Sequence, residues 1–201
     1  KSPNQVSFED FSIDDTISDP LAFSNKYDLF IVCNFDELTA NADNYLFSDN
    51  NKSDFFRFSE SNILELANNG TTHSTGIDGN KFSGLNVIHL SAISDSAQTL
   101  SEIRINGNLL ATANMIMVGD TKDIGKYGLT IAEIILIDRE LSSDEQMNIN
   151  NYLAEKWGLQ DKMDTDGDDV VDSIEHSQGT DKFDSSDLTL PDFSDAVIGN
   201  L

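Results

Sequence analysis

A single cysteine, Cys33, rules out an intramolecular disulfide and a zinc cluster built on cysteine thiolates. It lies in the apolar run Leu29-Phe30-Ile31-Val32-Cys33 and reads as a small buried hydrophobe, not a nucleophile. Basic residues are scarce: 12 Lys and Arg stand against 36 Asp and Glu, a formal charge of −24 that repels a phosphate backbone and sets nucleic acid aside as a partner. Long apolar runs are missing, so no membrane span is expected. No basic stretch leading into an apolar segment marks a signal peptide, and a chain beginning at Lys1 fits either a removed leader or an excised module. His73, His89 and His176 are scattered without an HExxH pattern, which argues against zinc chemistry and a serine triad. Gly76, Gly79 and Gly84 fall in an expected loop without a phosphate-binding pattern.

The 201 residues, 38% of them apolar, suffice for one sizeable core with a small appendage. Up to about residue 140, short runs of Phe, Ile, Val and Leu alternate with Asn, Asp, Ser and Gly, an all-β pattern. Strands are expected at 6–13, 29–35, 45–47, 55–58, 63–67, 85–93, 102–105, 109–111, 115–118 and 129–137. Their alternation, as in Ile103 and Ile105, implies that each buries one face and wets the other, so two antiparallel sheets pack as a sandwich. Asn106-Gly107 between Ile103-Arg104-Ile105 and Leu109-Leu110 predicts a tight hairpin, because both residues tolerate positive φ. One amphipathic helix is expected from Ser142, where Ser142 and Glu145 have capping-box spacing, with Ile149, Tyr152, Leu153 and Trp157 on its apolar stripe and Gly158 ending it.

Composition changes near residue 160, dividing the chain into a sandwich at 1–160 and an acidic segment at 161–201. The latter has 12 acidic residues against Lys162 and Lys182, a net of −10, and too few large apolar groups to fold by burial alone. A cation would order it. In the run 164–175, Asp164, Asp166, Asp168, Asp172 and Glu175 occupy positions 1, 3, 5, 9 and 12 of an EF-hand-type loop, and Val170 at position 7 offers its backbone carbonyl. Alternate side chains of a chain wrapped around one Ca²⁺ point inward, and the twelfth residue closes the shell with two oxygens. Position 6 departs from the pattern: Asp169 stands where glycine is expected, and Gly167 lies at position 4.

Two resemblances add to this reading. The loop, continued by Gly179-Thr180-Asp181 and then Asp184 and Asp187, resembles thrombospondin type 3 calcium-binding repeats and dockerin-like segments, which implies a calcium site. An incomplete second site among Asp181, Asp184 and Asp187 is a further option. The stretch from Ile131 to Glu145 and the segment Asn151 to Leu159, with the Asn106-Gly107 hairpin, resemble laminin-G-like, concanavalin A-like domains of bacterial surface proteins. That resemblance implies a jelly-roll sandwich that binds sugars, proteins or other surfaces, or serves as a structural part.

Glycosidases of the concanavalin A-like superfamily, the enzymatic alternative, need two carboxylates flanking the scissile bond. Here Glu133 and Asp138 differ by an odd number and fall on opposite faces of a regular strand. Glu133 reads as a solvent-facing or sheet-lining residue, and Trp157 as core. The expectation is therefore a non-enzymatic extracellular calcium-binding adhesion or structural module in an adhesin, surface filament or virion. Its partner is a surface glycan, a protein ligand, or neighbouring copies joined through strand-like ends at Val6 to Ile13 and Leu188 to Phe193.

Overall fold

The computed structural model describes residues 21–187 except 40, 50, 118, 122, 127 and 128, and of 21, 22, 119–121 and 123–126 it describes only the backbone. The first strands are β1 (Leu21–Phe23), β2 (Lys26–Asn34), β3 (Asn44–Ser48), β4 (Phe55–Phe58), β5 (Ile63–Asn68) and β6 (Thr71–Asp78). They are followed by β7 (Leu85–Ser94), β8 (Thr99–Ile105), β9 (Asn108–Ala113), β10 (Gly119–Thr121), β11 (Asp123–Lys126) and β12 (Ile131–Ile137). Two helices close the order, α1 (Ser143–Trp157) and α2 (Asp172–Gln178). Two five-stranded antiparallel sheets, β12-β2-β7-β8-β9 and β11-β3-β4-β5-β6, form a β-sandwich, and β1 pairs with β10 beside them.

The inward side chains follow the alternation in the sequence. Leu29, Ile31 and Cys33 of β2, Ile88 and Leu90 of β7, and Ile103 and Ile105 of β8 meet Phe56, Phe58, Leu64 and Leu66 of the opposing sheet in one core. Burial pushes the Cys33 thiol pKa far up, in keeping with an inert packed residue. The hairpin at Asn106-Gly107 forms as expected, with φ of 52° and 90° at the two residues.

The expectation that every strand wets one face fails for β2 and β7. Phe30, Val32 and Val87 on their outer face are covered by Leu153 and Ala154 of α1 and by Leu159 and Met163 beyond it, forming a second core. The edge strand β6 was expected as loop and held Gly76. Its polar sequence hides its role, because an edge strand has only one partner and little to bury. Gly79, also placed in that loop, lies in a short 3-10 turn. Residues 115–117, expected in a strand, form none, and β8 begins at Thr99 instead of Glu102. A second helix, α2, was not expected. The strand-like segments 6–13 and 188–193 lie outside the described residues.

Helix α1 starts and stops on the expected signals. Ser142 and Glu145 form the reciprocal capping box, and Gly158 ends the helix at φ 66°. Arg139 and Ser142 hold the Glu145 carboxyl down, to about 2. The buried stripe is Asn150, Leu153 and Ala154, while Tyr152 is partly exposed. Glu133 on β12 is neither solvent-facing nor free. It is 1% exposed, accepts hydrogen bonds from the Tyr152 hydroxyl at 3.2 Å and Lys156 Nζ at 3.0 Å through Oε1, and from Trp157 Nε1 at 2.6 Å through Oε2. All three donors belong to α1, so this carboxylate pins the helix to the sheet. Glu133→Ala strands these donors and is expected to cost about 2–3 kcal/mol in a denaturant titration. A cost below about 0.5 kcal/mol would contradict the pinning role.

Candidate metal centre

The acidic loop leaves the second core at Met163, which is fully buried. From there its path is fixed by main-chain hydrogen bonds. Asp164 N–H donates to the Asn106 carbonyl at 3.0 Å, Asp172 N–H to Met163 O at 2.8 Å, and Ser173 N–H to Gln160 O at 3.1 Å. Asn106 is itself tied into the sandwich: Val87 N–H donates to its Oδ1 at 2.8 Å, and its Nδ2 donates to Asn86 Oδ1 at 2.9 Å. The turn of the β8–β9 hairpin thus carries the first residue of the loop.

Within the loop the six expected residues take different parts. Asp164, with no exposed surface, organises the turn: Oδ1 accepts from the N–H groups of Gly167 and Asp168 at 2.7 and 3.1 Å, and Oδ2 from Asp169 N–H at 2.9 Å. Asp168 Oδ1 accepts from Val170 N–H at 2.7 Å. One carboxylate oxygen from each of Asp164, Asp166 and Asp168 lies within 4.8 Å of the others, a spread that one cation at about 2.3–2.6 Å from each oxygen can span. Asp172 is bound elsewhere: its two oxygens accept from Thr165 N–H at 2.9 Å and Thr165 Oγ1 at 2.8 Å, closing the base of the loop. Val170, partly buried, occupies position 7.

Asp169 resolves the irregularity at position 6. It adopts φ 73°, the left-handed conformation for which glycine is favoured there and which aspartate tolerates better than most residues. The loop keeps its sharp turn without the glycine.

Glu175 and Asp166 differ from their neighbours. Glu175 is 1% exposed, and neither of its oxygens has a hydrogen-bond partner among the described residues; both Asp166 oxygens are also buried and unpartnered. Burial, with Asp166, Asp168, Asp172 and Asp164 close by, pushes the Glu175 carboxyl up to about 7. Burial, with Asp168 and Asp164, pushes Asp166 up to about 6. Four unpaired carboxylate oxygens withdrawn from water are costly unless a positive charge joins them. Oxygen donors of this kind, some already aligned by backbone N–H groups, suit a hard divalent cation such as Ca²⁺. Asp181, Asp184 and Asp187, suggested as a second site, are exposed turn residues whose carboxylates accept from backbone N–H groups: Asp187 from Asp181, Asp181 from Phe183 and Asp184 from Ser186.

Sequence reasoning missed the buried pair of Asp28 and His89. His89 Nε2 lies 2.7 Å from Asp28 Oδ1, Leu141 N–H donates to Asp28 Oδ2 at 2.8 Å, and the imidazole stacks on Phe30 at 4.0 Å. Burial pushes the His89 pKa down, so the neutral ring packs beneath the start of α1. The sequence signal for this pair is only the placement of Asp28 beside the run Leu29–Cys33 and of His89 between Ile88 and Leu90.

No protein-family description and no curated protein matches this chain. Among solved structures, it is similar to a chain of botulinum neurotoxin type C, a toxin whose passage into cells depends on interaction with two ganglioside molecules (11% identity, TM-score 0.48, covering 66% of this chain and 36% of that one). It is also similar to an IT-sialidase CBM40 of Ruminococcus gnavus bound to α2,3-sialyllactose (15% identity, TM-score 0.44, covering 68% and 95%). A third is an SAP-like pentraxin from Limulus polyphemus (13% identity, TM-score 0.41, covering 63% and 70%). These likenesses concern the fold. The chain spans about a third of the botulinum toxin chain. No helix among the described residues is long and apolar enough to cross a membrane.

Proposed function

We propose that this chain is a non-enzymatic, extracellular adhesion or structural module whose β-sandwich is locked to its acidic C-terminal segment by one Ca²⁺. The observation that carries this reading is Glu175, a buried carboxylate with both oxygens unpartnered, whose pKa is raised by burial and by the nearby charges of Asp166, Asp168, Asp172 and Asp164, beside the three converging aspartates Asp164, Asp166 and Asp168. Asp164, Asp166, Asp168 and Glu175 would hold the ion through carboxylate oxygens, and Val170 through its carbonyl. Asp172 would shape the loop through Thr165. The ion supplies the positive charge that the segment's composition lacks. The formal charge of −24 supports an extracellular setting, where free calcium is abundant and a strongly charged surface maintains solubility.

Glu133 gives the glycosidase alternative no support, because each of its oxygens is engaged by a donor of α1. Limited proteolysis tests the structural role of the ion. Cleavage between residues 160 and 187 is expected to be slow in calcium and to accelerate about tenfold or more in chelator, while the sandwich stays intact. Equal cleavage rates in the two conditions would overturn the structural role.

A further inference from the structure

The chain contains two Asn-Gly dipeptides, and each makes a turn between paired strands: Asn69-Gly70 joins β5 to β6, and Asn106-Gly107 joins β8 to β9. Both turns lie in the left-handed region, at φ 50° and 77° in the first and 52° and 90° in the second. Their side chains differ. Asn106 is 6% exposed and its amide is held at both ends, Oδ1 accepting from Val87 N–H and Nδ2 donating to Asn86 Oδ1. Asn69 is exposed, and among the described residues only its main-chain N–H is engaged, by Asp54 Oδ1, while its side-chain amide is free.

A glycine after asparagine leaves its nitrogen unshielded, because no Cβ stands beside it. At Gly70 nothing lies within 4 Å of the place a Cβ would take, whereas at Gly107 that place is filled by the Asp164 main chain. The Gly70 nitrogen, once its proton passes to hydroxide, can bond to Asn69 Cγ, and the side-chain nitrogen leaves as ammonia. Water then opens the cyclic imide at either carbonyl. Opening at Cγ gives aspartate; opening at the main-chain carbonyl gives isoaspartate, whose main chain runs through Cβ and Cγ. The main-chain carbonyl is the more electrophilic, since an amide nitrogen sits on the adjoining Cα, so isoaspartate predominates. In sum, a primary amide and water become a carboxylic acid and ammonia.

The turn's own hydrogen bonds govern the rate. Gly70 N–H donates to Ser53 O at 2.8 Å, so attack waits for the hairpin to lift from the 49–54 turn. That opening is local, because β6 lies at the edge of its sheet with Thr71, Thr72 and Ser74 exposed. Asn106 must instead break its buried bonds and part from Asp164, whose N–H donates to its carbonyl.

We propose that Asn69 is a spontaneous modification site that converts to isoaspartate, and that the product frees the hairpin from the 49–54 turn and loosens β6. Isoaspartate adds a methylene to the main chain of a two-residue turn, where loop length fixes the register. It also sets a new carboxylate near Asp54. Neither effect depends on calcium in the acidic loop.

The test is incubation of the full chain in calcium at pH 6 and pH 8, followed by peptide mapping with electron-transfer fragmentation, which tells isoaspartate from aspartate. Asn69 is expected to convert at least about tenfold faster than Asn106, whose buried hydrogen bonds must first open. Conversion should be at least about tenfold faster at pH 8 than at pH 6, because the attacking nitrogen must lose its proton. In the aged protein the amides of Thr71 to Ser74 should exchange hydrogen at least about tenfold faster than in fresh protein. Asn69→Asp, which carries the charge without the added methylene, should change them less.

An intact Asn69 after a peptide spanning residues 67–72 has fully converted overturns the site, as do equal rates at Asn69 and Asn106. Conversion without faster exchange in β6 overturns the loosening. Exchange in Asn69→Asp as fast as in the aged protein overturns the role of the lengthened main chain.

Discussion

Gly107→Ala is expected to destabilise the protein by about 2–5 kcal/mol and to weaken calcium binding with it. At this position φ is 90°, and a Cβ would lie 1.6 Å from the Asp164 carbonyl oxygen and 2.7 Å from its carbonyl carbon. Both partners are backbone, so no side chain can swing away. Either the hairpin turn or the start of the acidic loop must move, breaking the bond from Asp164 N–H to Asn106 O. For a domain of this size the loss corresponds to a fall of roughly 5–15 °C in Tm. Gly70→Ala is the control. Its φ is 77° and a Cβ there meets nothing within 4 Å, so it reports the cost of left-handed strain alone, about 1–2 kcal/mol. Equal losses in the two variants would show that the hairpin does not press on the loop.

Glu175→Gln is expected to change sign with the solvent. In chelator the variant removes a buried charge from among four other carboxylates and should be more stable than the parent at pH 7. In calcium it loses the residue that closes the shell, and affinity should fall about 100-fold, or ~2.7 kcal/mol. The pH dependence has the same origin. In the metal-free protein Glu175 titrates near 7 instead of 4.5, and Asp166 near 6 instead of 3.8. Between those limits the folded state binds more protons at these two groups than the unfolded state, so their contribution to stability is full below about pH 4 and is lost as pH rises through 6 to 7. Thermal melts in chelator should show that decline in the parent and a smaller one in Glu175→Gln. Parallel pH profiles would contradict the placement of Glu175.

The sandwich was legible because period-two alternation reports burial directly, and the Asn106-Gly107 turn and the Ser142–Glu145 cap are local chemistry that needs no tertiary context. The polar edge strand β6 lacked that signal. The role of Glu133 was hidden for another reason: its partners Tyr152, Lys156 and Trp157 lie on a helix whose docking direction no spacing rule provides. In the loop, spacing identified the carboxylates as a group but could not apportion them. That Asp172 braces Thr165 while Glu175 stays bare depends on how α2 turns back over Met163, which the linear order of acids does not encode.

Isothermal calorimetry of the full chain with calcium tests the central claim most directly. One saturable site is expected, weakened about 100-fold in Glu175→Gln. Below about pH 7 its heat should depend on the ionisation enthalpy of the buffer, because the ion must displace the proton that Glu175 otherwise holds. A flat titration at neutral pH, with no change in melting temperature between calcium and chelator, would contradict it.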